Sequence, residues 1–440
     1  MKAIVYCMFL VPWCVLAQEW QYLGLGSEGI TTIAVDWSNS NIIYAGSGSG
    51  FSSGKVGGIF KSTNSGATWD TLIRGVTTRE VVIHPTNPNI LYATLGINSL
   101  TIAGIIKSID GGTNWIKADS GIWITWEEGP GPLVMDIKHP DTLYTGTSGP
   151  FGGVFYRSTN GGMNWYCFAG TILRDGVTAL AIHPDSSNVI YAGTAWSGNI
   201  FKSSDHGITW NLTGFKTGIT NSIQFGSKSS TIYIGSYWSD NYPVGIFKTT
   251  DAGVTWSNPK LGLPDSANIG KIEAVRNTSI EKVYCIANWR DSGGIYKSTQ
   301  GQGWEKIGVD NRRVSTIQLF NGKLYAGYGG VYVLNILNSV SDNPYSSYQD
   351  FNLCNNFPNP FNPTTKIIYK ISTNTNVLLE IYDIQGRKIK ILIHKHHSPG
   401  KYSVNWNGEN DQGIHAGSGV YFYVMRTEKH SAAKKMIYLR

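Results

Sequence analysis

One short turn recurs along most of this chain, and a unit that cannot bury its own apolar face must stack on copies of itself. Lys61-Ser62-Thr63-Asn64-Ser65-Gly66-Ala67-Thr68-Trp69 returns as Ser108 to Trp115, Ser158 to Trp165, Ser203 to Trp210 and Thr249 to Trp256, with a degenerate copy from Ser298 to Trp304. The tryptophans at 69, 115, 165, 210, 256 and 304 are 46, 50, 45, 46 and 48 residues apart, so insertions fall between the turns and never inside them.

A second recurring segment sets the count. Ile43-Tyr44-Ala45-Gly46 has counterparts at Leu91, Leu143, Ile190, Ile232, Val283 and Leu324, which makes seven. Each repeat divides into four short runs rich in β-formers and bounded by Gly, Asn and Pro, such as Thr31 to Val35, Ile42 to Gly46, Gly58 to Ser62 and Thr68 to Ile73. Four strands per repeat at this period define a β-propeller blade. The seventh copy lacks its last strand, whereas Glu19-Trp20-Gln21-Tyr22-Leu23 precedes the first copy and matches the segment after each repeat turn. The expectation is an all-β, seven-bladed propeller over residues 18–336, closed by its own N-terminal strand so that no sheet edge is left open.

The turn's composition explains itself. Asn64, Asp110, Asn160, Asp205 and Asp251 accept backbone N–H bonds, the glycine two residues on permits positive φ, and the tryptophan anchors the next strand. These residues are therefore expected to be structural; a catalytic or metal site has no need of a copy on every blade. The motif resembles the Asp-box, or BNR repeat, of sialidases, xyloglucanases, sortilin-type receptors and photosystem II assembly factors. That resemblance covers roughly residues 18 to 336.

Strand parity then divides the propeller into two faces. First and third turns of an up-and-down blade share one face; second turns and inter-blade links share the other. The repeat turns are third turns, and His84-Pro85, His139-Pro140 and His183-Pro184 fall in first turns, so the histidines are expected to be structural as well. The opposite face receives the longer, irregular loops, where binding residues concentrate. Its candidates are Trp123, Trp126 and Glu127 from a link, with Phe151, Trp196, Trp238, Asp240, Tyr242, Trp289 and Asp291 from second turns. Rings that stack on sugar faces beside polar groups that fix hydroxyls suit a carbohydrate; the alternative is that the aromatics only pack the loops together.

Catalysis has weaker support. A glycosidase needs two carboxyls about 5 to 10 Å apart, and Glu127, Glu128, Asp175, Asp240, Asp265 and Asp291 are available without any distinguishing context. The arginine-led opening and arginine triad of sialidases are missing. At the place where the xyloglucanase resemblance implies an Arg-Thr-Asp-Ile-Gly-Gly type segment, this chain reads Gly46-Ser47-Gly48-Ser49. No phosphate loop or His-Glu-x-x-His sequence occurs. His394, His396 and His397 read as a solvated basic strand end rather than a metal site, and nothing calls for a cofactor.

Charge distribution removes another class. Residues 18 to 350 balance 23 Lys/Arg against 24 Asp/Glu, while residues 351 to 440 carry 12 against 5. The large domain is neutral, which argues against a nucleic-acid reader. Lys2 and the apolar run from Ala3 to Ala17 read as a signal peptide, residues 1–17, cleaved near Ala17, and no later run is long enough for a transmembrane span. Once Cys7 and Cys14 leave with the signal, Cys167, Cys285 and Cys354 are too few and too scattered for a disulfide scaffold.

Residues 337–354 are polar and read as a linker. Residues 355–440 alternate through six short strands, which suggests an immunoglobulin-like sandwich. Phe357-Pro358-Asn359-Pro360-Phe361-Asn362-Pro363, Tyr382-Asp383-Ile384-Gln385-Gly386-Arg387 and Gly417-Ser418-Gly419-Val420-Tyr421-Phe422-Tyr423 make this segment resemble the type A C-terminal sorting domain of the type IX secretion system. The resemblance implies that residues 355–440 engage that machinery and that the protein ends outside the cell or on its outer surface. The whole reads as an exported propeller whose loop face binds a glycan or an extracellular protein without chemistry; the alternative is an extracellular glycoside hydrolase acting on polysaccharide.

Overall fold

The repeat becomes a ring of antiparallel sheets in the computed structural model. It describes residues 19–26, 28–48, 57–96, 103–124, 129–148, 153–167, 175–265, 267–276, 280–289, 292–308, 313–336, 351–354, 356–371, 374–427 and 431–439. The expected signal peptide and residues 337–350 of the expected linker lie outside these. The chain divides into two units, Met1–Asp342 and Asn343–Arg440.

In the first unit each blade follows chain order from its inner strand outward. Blade one comprises Gly29–Val35, Ile43–Gly48, Gly58–Ser62 and Asp70–Arg74. Blades two, three, four and six repeat this plan over 77–117, 129–167, 177–216 and 268–308. Blade five has three strands, and its fourth is reduced to a single bridge between Lys248 and Ser257. Blade seven consists of Thr316–Phe320, Lys323–Gly327 and Val331–Asn335, completed by Gln21–Gly24. Gln21 pairs with Val333 and Tyr22 with Tyr332, so the expected closure is present.

The second strand of each blade carries the recurring Tyr, and six of these, Tyr44, Tyr92, Tyr144, Tyr191, Tyr284 and Tyr325, are fully buried. The Tyr44 hydroxyl donates to the Gly111 carbonyl in the next blade's repeat turn, and Tyr92 and Tyr191 do the same to Gly161 and Ala252. Lys61 and Lys107 add a second donor to the Gly111 and Gly161 carbonyls. Both repeated sequence elements therefore meet across the blade interface. That contact explains why they recur together.

The second unit is a sandwich of two sheets. One holds Phe351–Leu353, Thr365–Ile371 and Gly400–Trp406; the other holds Lys388–His397, Thr375–Asp383, Gly419–Arg426 and Ser431–Tyr438. Phe351–Leu353, assigned to the linker from its polar surroundings, is thus a strand of the sandwich, with Leu353 in its core. Period-two burial along Gly400–Trp406 drives Trp406 inward against Phe361 and Tyr438. The Tyr382 to Arg387 motif is a hairpin turn: Asp383 Oδ1 accepts the Gln385 and Arg387 amides, and Gly386 takes φ 78°.

Candidate functional site

The face of the repeat turns is knitted by its backbone. In six blades the third turn donates an amide to the first turn of the same blade: Ser65 to Asn41, Gly111 to Asn89, Gly161 to Asp141, His206 to Asn188, Ala252 to Ser230 and Gln300 to Glu281. Within the turns, Asn64, Asp110, Asn160, Asp205 and Asp251 each accept the amide four residues on at 2.9 to 3.0 Å. The same oxygen accepts the hydroxyl of the preceding Ser or Thr, which in turn accepts the glycine amide. Hydrogen bonds from Asn114 and Ser108 hold the Asp110 carboxyl down at about 2. Three hydrogen bonds from within the turn engage both oxygens of this carboxylate, which accounts for the acid as a turn residue.

The histidines are not equivalent. His84 and His183 cap their turns through Nδ1, which accepts the Thr86 and Asp185 amides, and burial lowers both pKa values. The corresponding positions in blades one and three hold Asp36 and Asp136, which cap the Ser38 and Lys138 amides in the same way. His139 lies three residues beyond that position and contacts Asp136 Oδ2 at 3.0 Å. The His-Pro spelling concealed this, since the shared property is an acceptor at the end of the inner strand rather than an imidazole.

The opposite face separates the candidates. Trp123, Trp196 and Trp238 are 78%, 66% and 53% exposed, whereas the repeat-turn tryptophans Trp165, Trp210 and Trp304 are 3%, 5% and 6% exposed. Trp238 also takes φ 28°, a sterically costly conformation for a bulky side chain. Asp240 is exposed two residues further on. Tyr242 and Trp289 are half-buried, each with a lysine ammonium over its ring, Lys216 at 5.4 Å and Lys306 at 6.0 Å. Trp289 packs on the blade-six core. Trp126, Glu127, Phe151 and Asp291 lie outside the described residues, as does Glu128. Asp175, a candidate acid, instead clamps a loop: its two oxygens accept the Trp196 and Ser197 amides.

Sequence reasoning missed the channel. The inner strands surround a cavity of about 770 Å³. Six of the seven inner strands carry an irregularity at the same level, between Ile30/Thr32, Thr78/Glu80, Pro130/Leu133, Val177/Ala179, Thr220/Ser222 and Ile269/Ile272. A bulge re-aims the extra side chain. Here Thr31, Arg79 and Asn221 donate to the inner-strand carbonyls of Thr78, Pro130 and Ile269 in the next blade, and Ser315 donates to Ile30. Three further ionisable side chains, Glu80, Lys271 and Glu273, lie in or next to these irregularities. Glu80 accepts the Leu133 amide at 3.3 Å, and Lys271 lies 3.6 Å from Glu273 and bonds Gln318. Burial raises both carboxyls, Glu273 to about 7, with Lys271 opposing in each case and Glu80 adding to the rise of Glu273. A Thr/Arg/Asn alternation at one strand position was the available signal, but bulges have no spelling of their own.

Comparison with known proteins agrees with this architecture. The FlgD Ig-like domain family matches residues 365–431. A xyloglucanase of Hypocrea jecorina is 24% identical over 294 residues, covering 57% of this chain and 33% of that protein. A xyloglucanase of Paenibacillus is 23% identical over 315 residues, covering 60% and 29%. The chain thus spans about a third of the length of these curated relatives. Among solved structures, YCF48 from Cyanidioschyzon merolae superposes with a TM-score of 0.52 at 13% identity, over 73% of this chain and 99% of that one. Fold and comparisons together define an all-β protein, a propeller followed by an Ig-like domain. Among the described residues no helix is long and apolar enough to cross a membrane.

Proposed function

We propose that the propeller is an extracellular, non-catalytic glycan-binding module and that residues 355–440 are its address to the type IX secretion system. The observation that carries the first part is the inverted burial of tryptophan. Of the six repeat-turn indoles three are buried and three half-buried, while three indoles on the other face are exposed, one of them on strained backbone. Exposed aromatic planes suit the apolar faces of pyranose rings, and the relatives named for xyloglucan support a polysaccharide ligand. Affinity electrophoresis through plant and microbial polysaccharides tests this with the Trp196→Ala/Trp238→Ala double variant. Retardation by at least one polysaccharide, lost in the variant, is expected; equal retardation of both proteins would clear these residues of any role.

The xyloglucanase relatives also favour a second reading, hydrolysis. Of its candidate acids, Asp175 is spent on backbone amides, and Asp240 and Asp265 are exposed, the latter 3.9 Å from the Lys260 ammonium. Release of reducing ends from the bound polysaccharide would establish hydrolysis in place of simple binding. The export reading rests on the three sequence motifs of the sandwich. It predicts that residues 351–440 carry a periplasmic reporter across the outer membrane of a host with this system, and a reporter retained inside would refute it.

A further inference from the structure

The two phenylalanines of Phe357-Pro358-Asn359-Pro360-Phe361 have opposite fates. Phe361 is 2% exposed and stacks on Tyr438 in the sandwich core, whereas Phe357 is 79% exposed. A single bare aromatic needs no explanation; its company does. Phe357 and Lys366 exchange both backbone hydrogen bonds, at 3.0 and 2.9 Å, so their side chains leave the same face of the three-stranded sheet.

That face is basic throughout. Burial alternates along Thr365–Ile371 and Gly400–Trp406, and the outward positions hold Lys366, Ile368 and Lys370 on one strand and Lys401, Ser403 and Asn405 on the other. Lys370 lies directly opposite Lys401. The Lys366 and Ile368 backbones bond to Phe357 and Cys354, away from the Gly400–Trp406 strand, so the two lysines face each other in the non-hydrogen-bonded register, where side chains come closest. Like charges so placed weaken a sheet. Lys366, Lys370 and Lys401 are exposed, and no acid occupies an outward position of these two strands. The described acids of the sandwich are engaged elsewhere: Asp383 holds Arg387, Glu380 holds Arg426 and Lys388, Glu409 faces His415, and Asp411 accepts the Ile391 amide. Protection of a sheet edge would account for Lys401, on an outer strand, but Thr365–Ile371 is the middle strand and needs none.

We propose that this face docks on an anionic phospholipid surface, with Lys366, Lys370 and Lys401 over the phosphates and Phe357 entering the headgroup layer. Three ammoniums on one sheet face match a plane of diffuse negative charge, and a bare ring beside them is the apolar component of interfacial binding. Lysine is a point charge without the planar fork that fixes individual carboxylates, which favours a lipid surface over an acidic protein. Residues 18 to 350 hold 23 Lys/Arg against 24 Asp/Glu, so the attraction belongs to the second unit. It stands whether or not the propeller binds a glycan.

Flotation of the full chain with vesicles of phosphatidylcholine alone, and of phosphatidylcholine and phosphatidylglycerol in equal parts, tests the docking. Binding to the mixed vesicles only, weakened by added salt, is expected. Lys366→Gln/Lys370→Gln/Lys401→Gln should lower it about a hundredfold, while arginine at the same three positions should preserve it. Phe357→Ser should weaken it about tenfold and leave its salt dependence unchanged. All four positions are exposed, and losing the Lys370–Lys401 repulsion costs the fold nothing. Equal binding to both kinds of vesicle, binding to neither, or undiminished binding by the glutamine variant would each overturn the proposal. Capture by immobilised poly-glutamate with no vesicle binding would assign the face to an acidic protein and overturn it as well.

Discussion

The two rims of the propeller are built from the same strands yet obey opposite rules. On the repeat-turn rim, side-chain and backbone acceptors close on amides of the same blade, and the pattern returns from blade to blade. On the other rim recurrence is partial: Ser47, Thr147 and Ser236 accept the Gly58, Val154 and Gly245 amides across the second turn of blades one, three and five, while other contacts described there belong to single blades. Trp238 sits on strained backbone, Asp175 braces one loop, and Trp196 projects into solvent. Repetition in a solenoid-like ring marks what every blade needs for stability, whereas departure from repetition marks what only one place requires.

The contrast is sharpest for paired tryptophans of blade four. Trp210 is buried edge-on to Phe155, so Trp210→Ala is expected to cost about 3 to 5 kcal/mol, read as a lowered denaturation midpoint. A smaller effect is expected between the rims. Burial raises the folded Glu273 carboxyl above its ordinary 4.5 to about 7, so the folded state holds this proton more tightly than the unfolded chain. Stability from this group is intact below the unfolded value and is lost as pH rises through about 7. Glu273→Gln should therefore stabilise by about 2 kcal/mol at pH 8 and hardly at all at pH 4, which thermal melts at the two pH values would check. The smallest effect belongs to Trp196→Ala, expected to move stability by less than about 0.5 kcal/mol. If it proved as damaging as Trp210→Ala, the division between a structural and a functional rim would fail.

The repeat rim was legible in the sequence because its chemistry is local. A side-chain acceptor, a glycine and a tryptophan within eight residues form one turn, and seven Tyr segments count the blades. The ring's closure was legible for the related reason that an orphan strand at each end of a repeat array has one natural partner. The channel was not legible. Arg79, Glu80, Lys271 and Glu273 come from two blades nearly two hundred residues apart, and only the bulges turn them toward common space. Tyr242 and Trp289 resembled Trp196 in sequence, and whether a loop aromatic is packed or exposed depends on a lysine two strands away. Phe351–Leu353 was lost to the linker because three residues are too few to show a period, and the partner that makes them a strand lies beyond Phe361.

The N-terminal strand of blade seven imposes an order of events. Gln21 reaches its ladder partner only at Val333, and the Trp20 indole donates to the Ile307 carbonyl, 287 positions later. Until those late segments have emerged, the first strand has nowhere to dock. The ring thus behaves as a clasp whose two halves are made at opposite times, and a ribosome or translocon must release nearly the whole circle before the molecule can lock.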